Sequence, residues 1–154
     1  MTHLNVLSKR EGIDINAEVM PGANIDEALR LGIEAAHIIV LLLSPDFLSN
    51  ERLFVLLDKS LERHHNKEAV TWAVLVRDCL WEDLMRNNTI ELLPTNKQPI
   101  NQWASRDTAY RQIVTAIRYC AEVLKTRYMV FVQQDIIAQQ KKEIAQLKHK
   151  LLNK

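Results

Sequence analysis

Apolar positions fall into short blocks over the first two-thirds of the chain and into longer helical spacing after that. Residues 37–43 (HIIVLLL) run almost wholly apolar and β-branched, and Ser44, Pro45 and Asp46 break the run. A short apolar run closed by turn chemistry predicts a strand buried on both faces, as in parallel sheets. In an open parallel sheet the C-terminal strand ends carry the ligand crevice. Ser44, Pro45, Asp46 and Phe47 therefore belong at the working edge of the fold. Residues 69–76 (AVTWAVLV) predict a second buried strand.

Helical patterns separate the strands. Asn24 can cap a helix over residues 25–36, with Asp26 and Glu27 in its first turn, where the helix dipole favours anions. Ile25, Leu29, Ile33 and Ala36 give it one apolar face. A helix over about residues 50–65 turns Leu53, Leu56, Leu57, Ser60 and Leu61 inward. Upstream, residues 2–11 read as the tail of a helix, residues 13–15 as a short strand, and residues 20–24 as a loop. The order is β-α-β-α-β, the pattern of a doubly wound α/β sheet.

Residues 77–106 read as a loop-rich stretch, holding Trp81, Pro94, Pro99 and Trp103. From Asp107 the spacing of Tyr110, Ile113, Val114 and Ile117 is helical. Neither Gly nor Pro occurs in residues 100–154, so a long helix can form there. The expected division is a domain over residues 1–120 and a C-terminal helical tail over residues 121–154. In the tail, Val130, Ile137, Ile144 and Leu151 recur at spacing seven, with Leu147 between the last two and polar Gln133 and Gln140 between the others. This is a weak heptad, suited to a short helix docking on a partner. The alternative is a helix folded back on its own domain.

The 154 residues are about one domain's worth, with 47% apolar and 25% charged residues, as expected for a globular chain. A net charge of +1 argues against a mainly electrostatic nucleic-acid partner. No apolar run is long enough to span a bilayer, so no membrane partner is expected. Cys79 and Cys120 form no disulfide or metal pattern, and no leader pattern opens the chain. Both features favour a cytoplasmic setting.

Taken in order, several segments resemble a TIR (Toll/interleukin-1 receptor) domain of the bacterial type. They are REGIDI, the loop with Pro21 and Gly22, IIVLLLSPDFLS, SLERHH, AVTWAVLVRDCLW, LLPTNKQPINQW and RDTAYRQIVTAI. The resemblance covers roughly residues 4–120 and rests on order and spacing rather than on any single motif. It implies a flavodoxin-like fold and assembly through TIR–TIR contacts. In many bacterial and plant members it also implies cleavage of NAD at the nicotinamide–ribose bond. The loop of Pro21, Gly22, Ala23 and Asn24 matches the one that in the family mediates assembly and gates the nucleotide site. It can equally be an ordinary turn before a capped helix.

Two departures bear on function. Active members carry a glutamate about a dozen residues beyond the serine of the SPDF-like turn, and here that position is Leu56. Glu51 and Asp58 lie at helical offsets that point elsewhere. The family also opens with a central strand of the F-I-S-Y kind, and here the resemblance begins near the end of the helix that follows it. That strand would come from another chain or an upstream segment, or residues 128–132 (YMVFV) would fill the gap, or those residues simply continue a helical tail.

The expectation is a non-catalytic signalling and assembly module that contacts other TIR domains or itself, as a homo-oligomer or part of a larger assembly, with no cofactor. The alternatives are an NAD glycohydrolase of bacterial innate immunity, with NAD as substrate, and a domain that senses nucleotides without turnover. In the leading reading Ser44, Pro45, Asp46 and Phe47 only turn the chain, with Asp46 or Ser49 capping the next helix. In the others they line a nucleotide crevice. No metal site is expected. Cys79 is expected to be structural, Trp72 core, Trp103 packing, and His64 and His65 a solvated helix end.

Overall fold

The computed structural model describes residues 24–86 and 88–152. The predicted helix tail at residues 2–11, the strand at 13–15, and Pro21, Gly22 and Ala23 lie outside them. The described elements are α1 (Ile25–Ala35), β1 (Ile38–Leu43), α2 (Pro45–Leu48), α3 (Glu51–His65), β2 (Val70–Leu75), α4 (Glu82–Arg86), β3 (Glu91–Leu93), a 3-10 turn (Ile100–Gln102) and α5 (Arg106–Leu152). The three strands form a parallel sheet in the order β1-β2-β3. The class is α/β, with an open parallel sheet and a long C-terminal helix. The chain divides into two compact units, Met1–Ile117 and Arg118–Lys154.

Local chemistry sets the boundaries. The Asn24 side chain accepts hydrogen bonds from the backbone N–H of Asp26 (3.1 Å) and Glu27 (3.4 Å), opening α1 as its sequence predicts. The helix α3 closes in a Schellman motif. Glu68 N–H donates to the Arg63 carbonyl (2.9 Å) and Lys67 N–H to the His64 carbonyl (3.0 Å). Lys67 takes the left-handed position with φ 61°, a conformation that favours glycine.

The middle strand β2 is buried from Thr71 to Leu75. The expectation that β1 is buried on both faces is corrected. Ile39, Leu41 and Leu43 are buried, whereas Leu42 is 57% exposed. Among the described residues β1 pairs with β2 alone and stands at the edge of the described sheet. Alternation then sends one set of side chains into the core and the other toward a less covered face. The core gathers Ile39, Leu41, Leu43, Leu57, Ala73 and Leu75, with Ile33, Phe47 and Leu61 packed against it.

The loop-rich stretch 77–106 also holds the short elements α4, β3 and the 3-10 turn. A three-residue strand leaves no periodicity to read, and its pairing with β2 creates it. Residues 128–132 continue the helix within α5, as the helical-tail reading expects, and the alternative of a strand filling the sheet is not taken. Tyr128, Met129, Val130 and Phe131 are exposed there, so their β-propensity yields to an uninterrupted helical run. No described helix is long and apolar enough to cross a membrane.

Candidate functional site

Two places carry the chemistry singled out from sequence: the turn after β1, and the outer side of α3. At the turn, Ser44 is an N-cap, and its Oγ accepts from Phe47 N–H at 3.2 Å. Pro45 takes the first helical position, where its missing N–H costs nothing. Phe47 packs on the core. Asp46 pairs with Arg77 Nη1 at 2.6 Å, tying the exit of β1 to the exit of β2. Both side chains are more than half exposed, so the pair contributes at most about 1 kcal/mol. The backbone joins the same two exits, since Val76 N–H donates to the Leu43 carbonyl at 3.0 Å.

Neither Asp46 nor Ser49 caps α3. That role falls to Asn50, whose Oδ1 accepts from Arg52 N–H at 3.1 Å. The two-residue α2–α3 junction leaves Ser49 Oγ to donate back to the Asp46 carbonyl (3.2 Å).

Leu56 is half-buried and lines an open groove of about 780 Å³ between α1 and α3. Ile33, Val55 and Leu56 supply its apolar wall, and Asp26, Arg30, Glu34, Arg52, Lys59 and Glu62 its charged rim. No residue of the 44–47 turn lines this groove. The structure therefore does not bring Leu56 and that turn into one pocket. Asp58 lines the groove and Glu51 does not.

The rim is largely neutralised by its own pairs. Arg30 meets Glu34 (2.7 Å) and Glu27 (2.8 Å), Lys59 meets Glu62 (2.9 Å), and Arg52 reaches Asp26 at 3.9 Å. The hydrogen bond and charge of Arg30 hold the Glu27 carboxyl below its usual range. Glu27 in turn holds Arg30 above its own, and Glu62 raises Lys59.

Three residues gain partners that spacing does not reveal. Arg63, whose side chain is only 11% exposed, donates through Nη1 to the carbonyls of Ile33 and Ala36 (2.9 Å to the latter). It thus satisfies the orphan carbonyls at the end of α1. His64 is not a solvated helix end. It is half-buried, and its Nδ1 accepts from Thr71 N–H at 3.0 Å. Thr71, fully buried, donates its hydroxyl to the Ser60 carbonyl at 3.0 Å. These bonds tie α3 to α1 and to β2.

Cys79 packs against the core and its thiol is pushed up, first by burial and then by the nearby charges of Asp78 and Glu82. That opposes thiolate formation. Trp72 is buried. Trp103 donates its ring N–H to the Gln98 carbonyl at 3.1 Å. Lys97 lies 5.3 Å over the Trp81 ring. Among the described residues no group of three or more His, Cys, Asp or Glu is placed to hold a metal ion.

No family model matches the chain. It is 31% identical over 101 residues, 65% of its length, to an uncharacterised protein, y4lF, of Sinorhizobium fredii. The match covers 31% of that protein, so the chain spans about a third of this curated relative. Among solved structures it is similar to the TIR domain of the Toll-related receptor TRR-2 from Hydra magnipapillata. The TM-score is 0.47 and the identity 21%, over 75% of this chain and 84% of that one.

Proposed function

We propose that this chain is a non-catalytic TIR-type assembly module that works by contact with other TIR domains or with further copies of itself. The observation that carries the reading is Leu56. At the position where the resemblance places the catalytic glutamate stands an aliphatic side chain, half-buried in the groove between α1 and α3. Cleaving a glycosidic bond passes through an oxocarbenium-like state that needs a negative charge beside the sugar. Leucine supplies none. Arg77 occupies Asp46, the carboxylate nearest the β1 exit in sequence.

Support also comes from three motifs that fall, in order, on the element types the resemblance implies. IIVLLL is a parallel strand, SPDFL a capped turn, and SLERHH the end of a helix. The loop of Pro21, Gly22 and Ala23 is the proposed contact loop, with Asn24 fixing its exit into α1.

The competing reading, an NAD glycohydrolase, has one observation in its favour. Asp58 shares the groove with Leu56. Incubation with NAD at high protein concentration, with and without crowding, tests both readings by following nicotinamide release. No turnover is expected. Turnover that Asp58→Asn abolishes would overturn the non-catalytic reading and name the carboxylate.

A further inference from the structure

The Arg118–Lys154 unit carries a stripe of exposed apolar side chains that its own helix leaves uncovered. Val130, Ile137, Ile144, Leu147 and Leu151 are each about half exposed or more. Four of them recur at a strict seven-residue interval, which places them at successive a positions of a heptad. Leu147 then falls at d, as do Gln133 and Gln140. A strict heptad keeps its seam facing a partner only if two helices supercoil with left-handed sense.

The flanking charges choose the partner and its direction. In this frame Glu143 is at g and Lys148, five residues on, is at e. A parallel, in-register pair brings g of one helix beside the following e of the other, so each Glu143 meets a Lys148 of the second copy, twice per dimer. An antiparallel pair sets e against e and g against g, so repulsion between Lys141 and Lys148 offsets attraction between Glu143 and Lys150, whereas the parallel pair keeps its attractions unopposed. The d-layer glutamines add register. The amides of Gln133 and Gln140 both find amide partners across the seam only in register, since a one-heptad slip sets one Gln140 against Leu147.

We propose that the Arg118–Lys154 unit is a parallel, in-register two-stranded coiled-coil interface with a second copy of this chain. It is built on Val130, Ile137, Ile144, Leu147 and Leu151 and oriented by Glu143 against the second copy's Lys148. This rests on the assembly reading above and supplies its stoichiometry and geometry.

Full-length Gln133→Cys and Leu147→Cys variants test it, separately and mixed, under mild oxidation with the linked peptides mapped by mass spectrometry. A disulfide forms only where Cα atoms come within about 7 Å. The parallel pair gives 133–133 and 147–147 links and no 133–147 link in the mixture. A 133–147 link, or no homotypic link at all, overturns the proposal. Glu143→Lys is expected to weaken dimerisation roughly tenfold by sedimentation, since it turns two attractions into two repulsions. Adding Lys148→Glu should restore it, and failure to do so overturns the assigned orientation. The two readings fail separately. Self-association without homotypic links removes the coiled coil and leaves the assembly module standing. Homotypic links together with NAD turnover remove the non-catalytic reading and leave the coiled coil.

Discussion

Replacing Arg63 with alanine should be among the most destabilising single changes to a polar residue in this fold. Its guanidinium donates to the carbonyls of Ile33 and Ala36 from the neighbouring helix α3. With only 11% of the side chain exposed, water does not readily take its place. Hydrogen bonds to a charged group contribute about 1.5–3 kcal/mol each, and part of that returns as side-chain entropy on truncation. A net loss of about 2–4 kcal/mol follows, a large fraction of a typical domain stability of about 5–15 kcal/mol. In urea, with a slope of about 1–3 kcal/mol/M, the midpoint should fall by about 1–2 M.

Glu68→Ala is the control. It removes the 3.3 Å ion pair with Arg63 but leaves the carbonyl bonds, and the Glu68 side chain is 53% exposed. It should therefore cost under about 1 kcal/mol. Arg63→Lys keeps the charge without the planar fork that reaches two carbonyls, and should fall between the two. A midpoint shift below about 0.3 M for Arg63→Ala, or a Glu68→Ala loss equal to it, would refute the assignment of Arg63 as the cap of α1.

Four other outcomes are expected. Lys67→Gly should raise stability by about 1 kcal/mol in thermal melts, because the φ of 61° at the end of α3 is free of penalty only for glycine. Thr71→Val should cost about 1 kcal/mol by the loss of its bond to the Ser60 carbonyl, read as a lower urea midpoint. Val130→Asp together with Val132→Asp should leave the domain melt near normal, because these residues belong to the C-terminal helix and not to the sheet; loss of cooperative unfolding would contradict that. Cys79 should alkylate more slowly in the folded protein than in urea at the same pH. Its raised folded pKa keeps the thiol protonated, so the folded state holds the extra proton and stability falls as pH rises above about 9. Asp78→Asn should speed the reaction.

The ladder of elements that positions the candidate site was legible in the sequence because each rests on local chemistry. Asn24 caps α1 through its own side chain, the block IIVLLL extends because branched apolar residues do, and SPDFL turns because serine caps and proline fixes φ. The 100–154 segment, lacking Gly and Pro, was free to form the long helix seen over Arg106–Leu152. The identity of Leu56, and with it the leaning away from catalysis, is likewise a property of the sequence alone.

Tertiary structure decided what local chemistry leaves open. Whether β1 is buried on one face or two depends on what packs over each face of the sheet, which no residue in β1 encodes. The three residues of β3 become a strand only because β2 offers an edge. The β-branched and aromatic residues 128–132 prefer strand in isolation but take the helix set by the residues on either side of them. Arg63, His64 and Thr71 look like solvent-facing or merely apolar-neighbouring positions until chain folding brings α1 and β2 against α3. Their roles depend on backbone groups up to thirty residues away, and a hydrogen bond between distant groups leaves no spacing in the sequence to find it by.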